Sequence, residues 1–127
     1  MAGILLKIGG CYNLAFAAFH LFFWRIFDWK RDLASLSFLN RAIMQVLNLC
    51  LTFVFVAFGY LSLAHGGEML GSPLGRALIF LIGLFWLLRA LQQAIFFRLR
   101  KPLSWAFLFV FLAGAGVYLA LSDGDAA

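Results

Sequence analysis

Apolar residues run along this chain in four long blocks, and most polar residues fall in short clusters between them. The blocks cover about residues 4–27, 41–64, 74–97 and 103–121, each near or above the roughly 20 residues that span a hydrocarbon core. None shows the apolar–polar alternation of a half-buried strand, and in lipid a continuous apolar run satisfies its own backbone as a helix. The pattern predicts an all-α fold: a four-helix transmembrane bundle forming one integral membrane domain over residues 1–127.

Punctuation between the blocks agrees with that reading. Ser72-Pro73 offers a capping hydroxyl and a first-turn proline to the third helix, and Pro102 starts the fourth. Asn40 is the expected cap of the second helix, with Gly66-Gly67 ending it. Ser122-Asp123-Gly124 is expected to stop the last helix ahead of a short acidic tail. Between the first two blocks, Trp29, Leu33 and Leu36 recur at i, i+4 and i+7 with Lys30, Arg31 and Asp32 interleaved. Such spacing over residues 28–39 fits either a short amphipathic helix in the headgroup region or a plain connection. Lys7 interrupts the first apolar stretch instead of preceding it, so the N-terminal residues read as part of the first span and not as a leader.

Composition strengthens the membrane reading. Hydrophobic residues make up 65% of the 127 residues and charged residues 12%, against about 45–50% and about 25% in soluble domains. The net charge of +5 adds an orientation. Arg25, Lys30, Arg31 and Arg41 flank the first connection and Arg98, Arg100 and Lys101 the third, while Lys7 and Arg76 are the basic residues of the other side. The positive-inside rule then expects both termini on the non-cytoplasmic side, and the expected location is the bacterial cytoplasmic (inner) membrane. Because these cations form short clusters and not a basic face with interleaved aromatics, nucleic acid is not an expected partner. Cys11 and Cys50 both lie in apolar runs, at depths that differ by about 10 Å. They are expected as buried, unpaired small hydrophobes.

Polar residues within the blocks carry the functional information. At 1.5 Å per residue, His20 and Asn48 fall about 6 Å from their span midpoints, Gln45 about 11 Å, Arg89 about 5 Å, and Gln92 and Gln93 about 10 Å, all toward the cytoplasmic side. Three helices thus bring polar groups to one half of the membrane, while the fourth reads as purely apolar. Arg41, Gln45, Asn48 and Thr52 share one helical stripe, and Asn13, His20 and Trp24 another. Arg89 is the most informative residue: an arginine at the bilayer centre costs about 2.5–3.5 kcal/mol on insertion scales, yet no Asp or Glu occurs in any block. Three readings follow: Arg89 snorkels, with Gln45, Asn48 and Gln93 bonding its head as interhelical glue; an anionic group occupies an acid-free cationic pocket; or Arg89 pairs with a partner subunit.

These residues suggest a small membrane protein that binds or transports an anionic ligand or lipid head group. Its expected ligand-binding residues are Arg89, His20, Gln45, Asn48, Gln92 and Gln93, and membrane lipid or an anionic small ligand is the expected partner. Two alternatives stand beside it: an accessory subunit of a larger membrane complex, and a redox or quinone-handling subunit using His20. A homo-oligomer or a complex subunit is the expected assembly, and Gly116-x-x-x-Ala120 is a small-xxx-small pair that permits close helix contact. No catalytic residues are proposed, because paired carboxylates and a nucleophile with its base are both missing. No metal-ligand spacing occurs, and no cofactor is expected. His20 and His65 lie about 25 Å apart in helix rise, too far to share a haem.

Overall fold

A computed structural model describes Met1–Asp123. The described residues form seven α-helices and one 3₁₀ turn, without strands: α1 (Ala2–Leu21), α2 (Phe23–Ile26), α3 (Trp29–Asp32), a 3₁₀ turn (Leu33–Ser35), α4 (Phe38–Ala64), α5 (Gly66–Gly71), α6 (Pro73–Phe96) and α7 (Pro102–Ser122). Four of them, α1, α4, α6 and α7, are long and apolar enough to cross a membrane. The chain is accordingly an integral membrane protein. Gly124 and the acidic tail lie outside the described residues.

Helix boundaries follow local chemistry, in places other than expected. The expected first span divides at Phe22, whose φ of −96° and ψ of 10° end α1 and set off the single turn of α2. α4 begins three residues before the expected Arg41, because Ser37 and not Asn40 is its cap; the Asn40 amide donates to Ser37 Oγ at 3.2 Å. Ser72 caps α6 through the Gly75 amide at 3.0 Å, with Pro73 in the first turn. Gly66-Gly67, expected as a stop, opens the short α5, whose Met69 is buried. In the first connection Trp29 and Leu33 turn inward while Leu36 stays exposed. The connection is thus helical only over α3 and the 3₁₀ turn, and Phe38 and Leu39 belong to α4.

The spans pack as two antiparallel hairpins, α1 with α4 and α6 with α7, joined where α1 meets α7. Each buries a helical stripe: on α1 this is Leu6, Gly9, Gly10, Asn13 and Ala17, spaced i, i+3, i+4, i+7 and i+11. Small residues set the close approaches. A Cβ on Gly59 would lie 2.6 Å from Leu14 Cγ and 3.1 Å from the Gly10 carbonyl, and one on Gly9 would lie 2.7 Å from the Tyr118 ring. The opposite faces are covered with large apolar side chains such as Phe53 and Ile95, about 70% exposed, which is the surface hydrocarbon requires. Cys11 and Cys50 are free and lie on this outer surface, contrary to the expectation that they are buried. α4 and α6 do not pack along their length; Phe55 and Phe58 of α4 meet Phe85 and Trp86 of α6 ring against ring.

A buried polar network ties all four spans together. Asn13 Nδ2 of α1 donates to Tyr118 Oη of α7 and to the Gly9 carbonyl, both at 2.9 Å. Trp86 Nε1 of α6 donates to Asn13 Oδ1 at 3.1 Å, and Ser62 Oγ of α4 shares a 2.8 Å hydrogen bond with Tyr118 Oη. All four side chains are at most 1% exposed. α7 is therefore not purely apolar: Tyr118 belongs to this network, and Tyr12 Oη also donates to its Val110 carbonyl at 2.9 Å.

Candidate functional site

Below this network, the gap between the two hairpins widens into a cavity of about 1030 Å³ at the end of the bundle that carries the first and third connections. It is at the upper end of the range of about 300–1,000 Å³ in which small-molecule sites fall. Trp86 forms its inner wall, face to face with Phe55 at 5.2 Å and with Phe111 at 5.8 Å. Further phenylalanines from α1, α2, α6 and α7 continue the apolar lining. The exposed side chains of Met44 on α4 and Leu88 on α6 also line it, so the cavity opens sideways between these helices as well as toward the end of the bundle.

Four cations line this space, Arg89, Arg98, Arg100 and Lys101, and no Asp or Glu is among the lining residues. Arg89 is half-buried, and its guanidinium carbon lies 4.4 Å from the Phe111 ring centroid and 5.4 Å from that of Phe97. Such cation–π contacts are worth from about 0.5 to about 2 kcal/mol each, but they engage the faces of the guanidinium and leave its five N–H donors at the edges. Among the described residues, no hydrogen bond or ion pair reaches those donors. The glue arrangement in which Gln45, Asn48 and Gln93 bond the Arg89 head is therefore not formed.

Each of those amides has another position. Asn48 lies outside the cavity lining and holds His20: its Oδ1 is 2.8 Å from His20 Nδ1, and its Nδ2 donates to the His20 carbonyl at 3.1 Å. Since Asn48 Oδ1 is an acceptor, His20 Nδ1 carries a proton, and in the neutral ring Nε2 is left as an acceptor. His20 lines the cavity, with its ring 4.2 Å from Phe23 and 5.0 Å from Phe55. Gln93 lines it too, yet its Nδ-equivalent amide nitrogen, Nε2, is engaged by Ser104, donating to Oγ at 3.1 Å and to the carbonyl at 3.4 Å. Gln92 lines the cavity and is exposed. Gln45 is outside it.

The connection that bears the rim cations is held in position. Gln93 ties α6 to the first turn of α7, and Trp105 Nε1 donates to the Leu99 carbonyl at 3.0 Å. Between them Arg98 adopts a left-handed conformation, φ 51°, which costs a side-chain-bearing residue about 1–2 kcal/mol. The braces hold this turn, and Arg98, Arg100 and Lys101 all line the cavity beside it. Of the six residues expected from the sequence, Arg89, His20, Gln92 and Gln93 line this cavity and Gln45 and Asn48 do not, whereas the rim cations Arg98, Arg100 and Lys101 were not among those expected. Sequence reading also missed the aromatic wall, since sixteen phenylalanines spread over every span carry no signal of which ones converge. Among the described residues no group of three or more His, Cys, Asp or Glu side chains is arranged to hold a metal ion.

The sequence matches no protein-family model, and no curated protein or solved structure matches it either.

Proposed function

We propose that this protein binds an anionic amphiphile drawn from the membrane, holding the head group on Arg89 and the apolar tail against the aromatic wall. The observation that carries this reading is an arginine whose N–H donors meet no hydrogen-bond or ion-pair partner among the described residues, on a cavity lined by no described Asp or Glu. Charge in an apolar setting finds a counter-charge or is strongly disfavoured, and an anionic head supplies it. His20 contributes an acceptor for a hydroxyl on the ligand, Asn48 orients His20, and Gln92 offers hydrogen bonds from its side-chain amide at the rim. The sideways opening between α4 and α6 suits a ligand that diffuses within the bilayer. The cavity ends at Trp86, beneath the Asn13–Tyr118–Ser62 network, which favours binding from one leaflet over an open through-path.

The test uses protein in phosphatidylcholine nanodiscs and hexadecanoate brominated at the tail end. Saturable quenching of tryptophan emission is expected, with the loss of saturation in Arg89→Gln while the helical content stays unchanged. Quenching that merely follows the bromine content of the bilayer, or that Arg89→Gln leaves intact, overturns the proposal.

The distribution of basic residues supports an orientation with both termini outside and the cavity mouth facing the cytoplasmic leaflet, in the bacterial cytoplasmic membrane. A second reading, a subunit of a larger membrane complex, draws on Gln45. This half-buried amide on α4 lies outside the cavity lining and has no hydrogen bond among the described residues. Mild-detergent purification returning a stoichiometric partner protein, lost in Gln45→Leu, is the result that reading requires.

A further inference from the structure

We infer that the head group selected by this cavity is a phosphate in preference to a carboxylate, carried on a long apolar tail. The inference rests on the amphiphile reading above and goes beyond it to the chemistry of the head.

Charge balance is the first argument. One carboxylate would satisfy Arg89 and leave Arg98, Arg100 and Lys101 facing an uncompensated cavity mouth. A phosphomonoester carries about −1.5 to −2 charge at pH 7 and three strong acceptor oxygens, so it can engage Arg89 inside and the rim cations together. Geometry is the second. Arg98 holds a left-handed backbone that glycine would adopt freely, and the turn around it is clamped by Gln93–Ser104 and Trp105–Leu99. The side chains of Arg98, Arg100 and Lys101 are exposed, but the backbone that carries them is braced at the cavity wall, so all three start from fixed positions around its mouth. Arginine is also the side chain whose planar fork matches phosphate oxygens two at a time. The apolar wall beyond Arg89 gives the tail its site, which separates a lipid-borne phosphate from a free one.

The experiment measures binding to the full chain in phosphatidylcholine nanodiscs at pH 7, by tryptophan emission, for hexadecyl phosphate, hexadecanoate and inorganic phosphate. Hexadecyl phosphate is expected to bind about tenfold more tightly than hexadecanoate, the gain from one further charge-assisted hydrogen bond, and inorganic phosphate is expected to give no response. In Arg98→Gln/Arg100→Gln the ratio between the two amphiphiles should fall toward one, with the residual hexadecanoate signal reporting that the variant is folded. Equal affinities in the wild-type protein overturn the phosphate inference and leave the amphiphile reading standing. Inorganic phosphate competing as well as hexadecyl phosphate identifies a soluble anion and overturns the lipid source. Failure of both amphiphiles to bind overturns this inference and the reading beneath it.

Discussion

An asparagine inside hydrocarbon must find partners for two donors and an acceptor oxygen, and Asn13 finds them on two other spans and on its own helix turn. Interhelical hydrogen bonds in membranes average about 0.6 kcal/mol, so the network adds modestly to stability while it is intact. Breaking it is another matter, because a buried group left unpaired loses about 1–3 kcal/mol. Asn13→Ala, which strands the Trp86 indole N–H, is expected to lower stability by about that amount, read by denaturant titration in detergent micelles. Tyr118→Phe takes the partner from one Asn13 N–H and from the buried Ser62 hydroxyl, and should cost at least as much. Of these residues the sequence made Asn13 visible but not its partners. Hydroxyl and indole groups are common in apolar spans, and nothing in a linear pattern says which of them meet. Trp86 did carry a usable signal: tryptophan belongs mostly to the interfaces, so one in mid-span needs a polar partner for its N–H. Arg89 was legible for the opposite reason, since its charge is costly wherever it sits in the span.

At the scale of helices, the length of the apolar runs made the four spans legible, and proline and serine marked the start of α6; of the two polar stripes read along the spans, Asn13, Asn48 and Thr52 are buried while Trp24 is exposed. Legibility failed where side-chain geometry decides between neighbouring candidates, as when Ser37 outcompetes Asn40 for the first turn of α4. Ser72→Ala is expected to destabilise by about 0.5–2 kcal/mol through the loss of the α6 cap, measured in the same titration. Glycines divide likewise by surroundings. Gly9→Ala would drive a methyl into the Tyr118 ring and weaken the α1–α7 crossing, whereas Gly116→Ala meets nothing within 4 Å and should leave the unfolding midpoint unchanged. The expected Gly116–Ala120 pair thus faces outward and does no work within the described bundle.

The whole molecule is two tight hairpins with a sealed end and an open end. Basic turns gather at the open end, so the proposed orientation and the proposed ligand site are linked: the mouth faces whichever side those turns occupy. Single cysteines at Ser35 and Gly67, introduced in a Cys11→Ser/Cys50→Ser background, report that side. A membrane-impermeant maleimide is expected to label Gly67→Cys on intact cells and Ser35→Cys after permeabilisation; the reverse pattern inverts the topology. The four spans and the mid-span arginine, Arg89, could be read in advance, but the cavity could not, because it exists through what α4 and α6 fail to fill.

The Asn13–Tyr118 bond joins residues 105 positions apart in the chain, and this has a consequence for biosynthesis. α1 enters the membrane first, carrying an amide whose partner is not translated until α7 emerges. Until then that amide stays in hydrocarbon with its local Gly9 bond, at a cost of several kcal/mol for each group left unmatched. A chain that ends before Tyr118 thus keeps one Asn13 N–H and the Ser62 hydroxyl unmatched, so the four spans reach their fully paired state only when the last of them is in place.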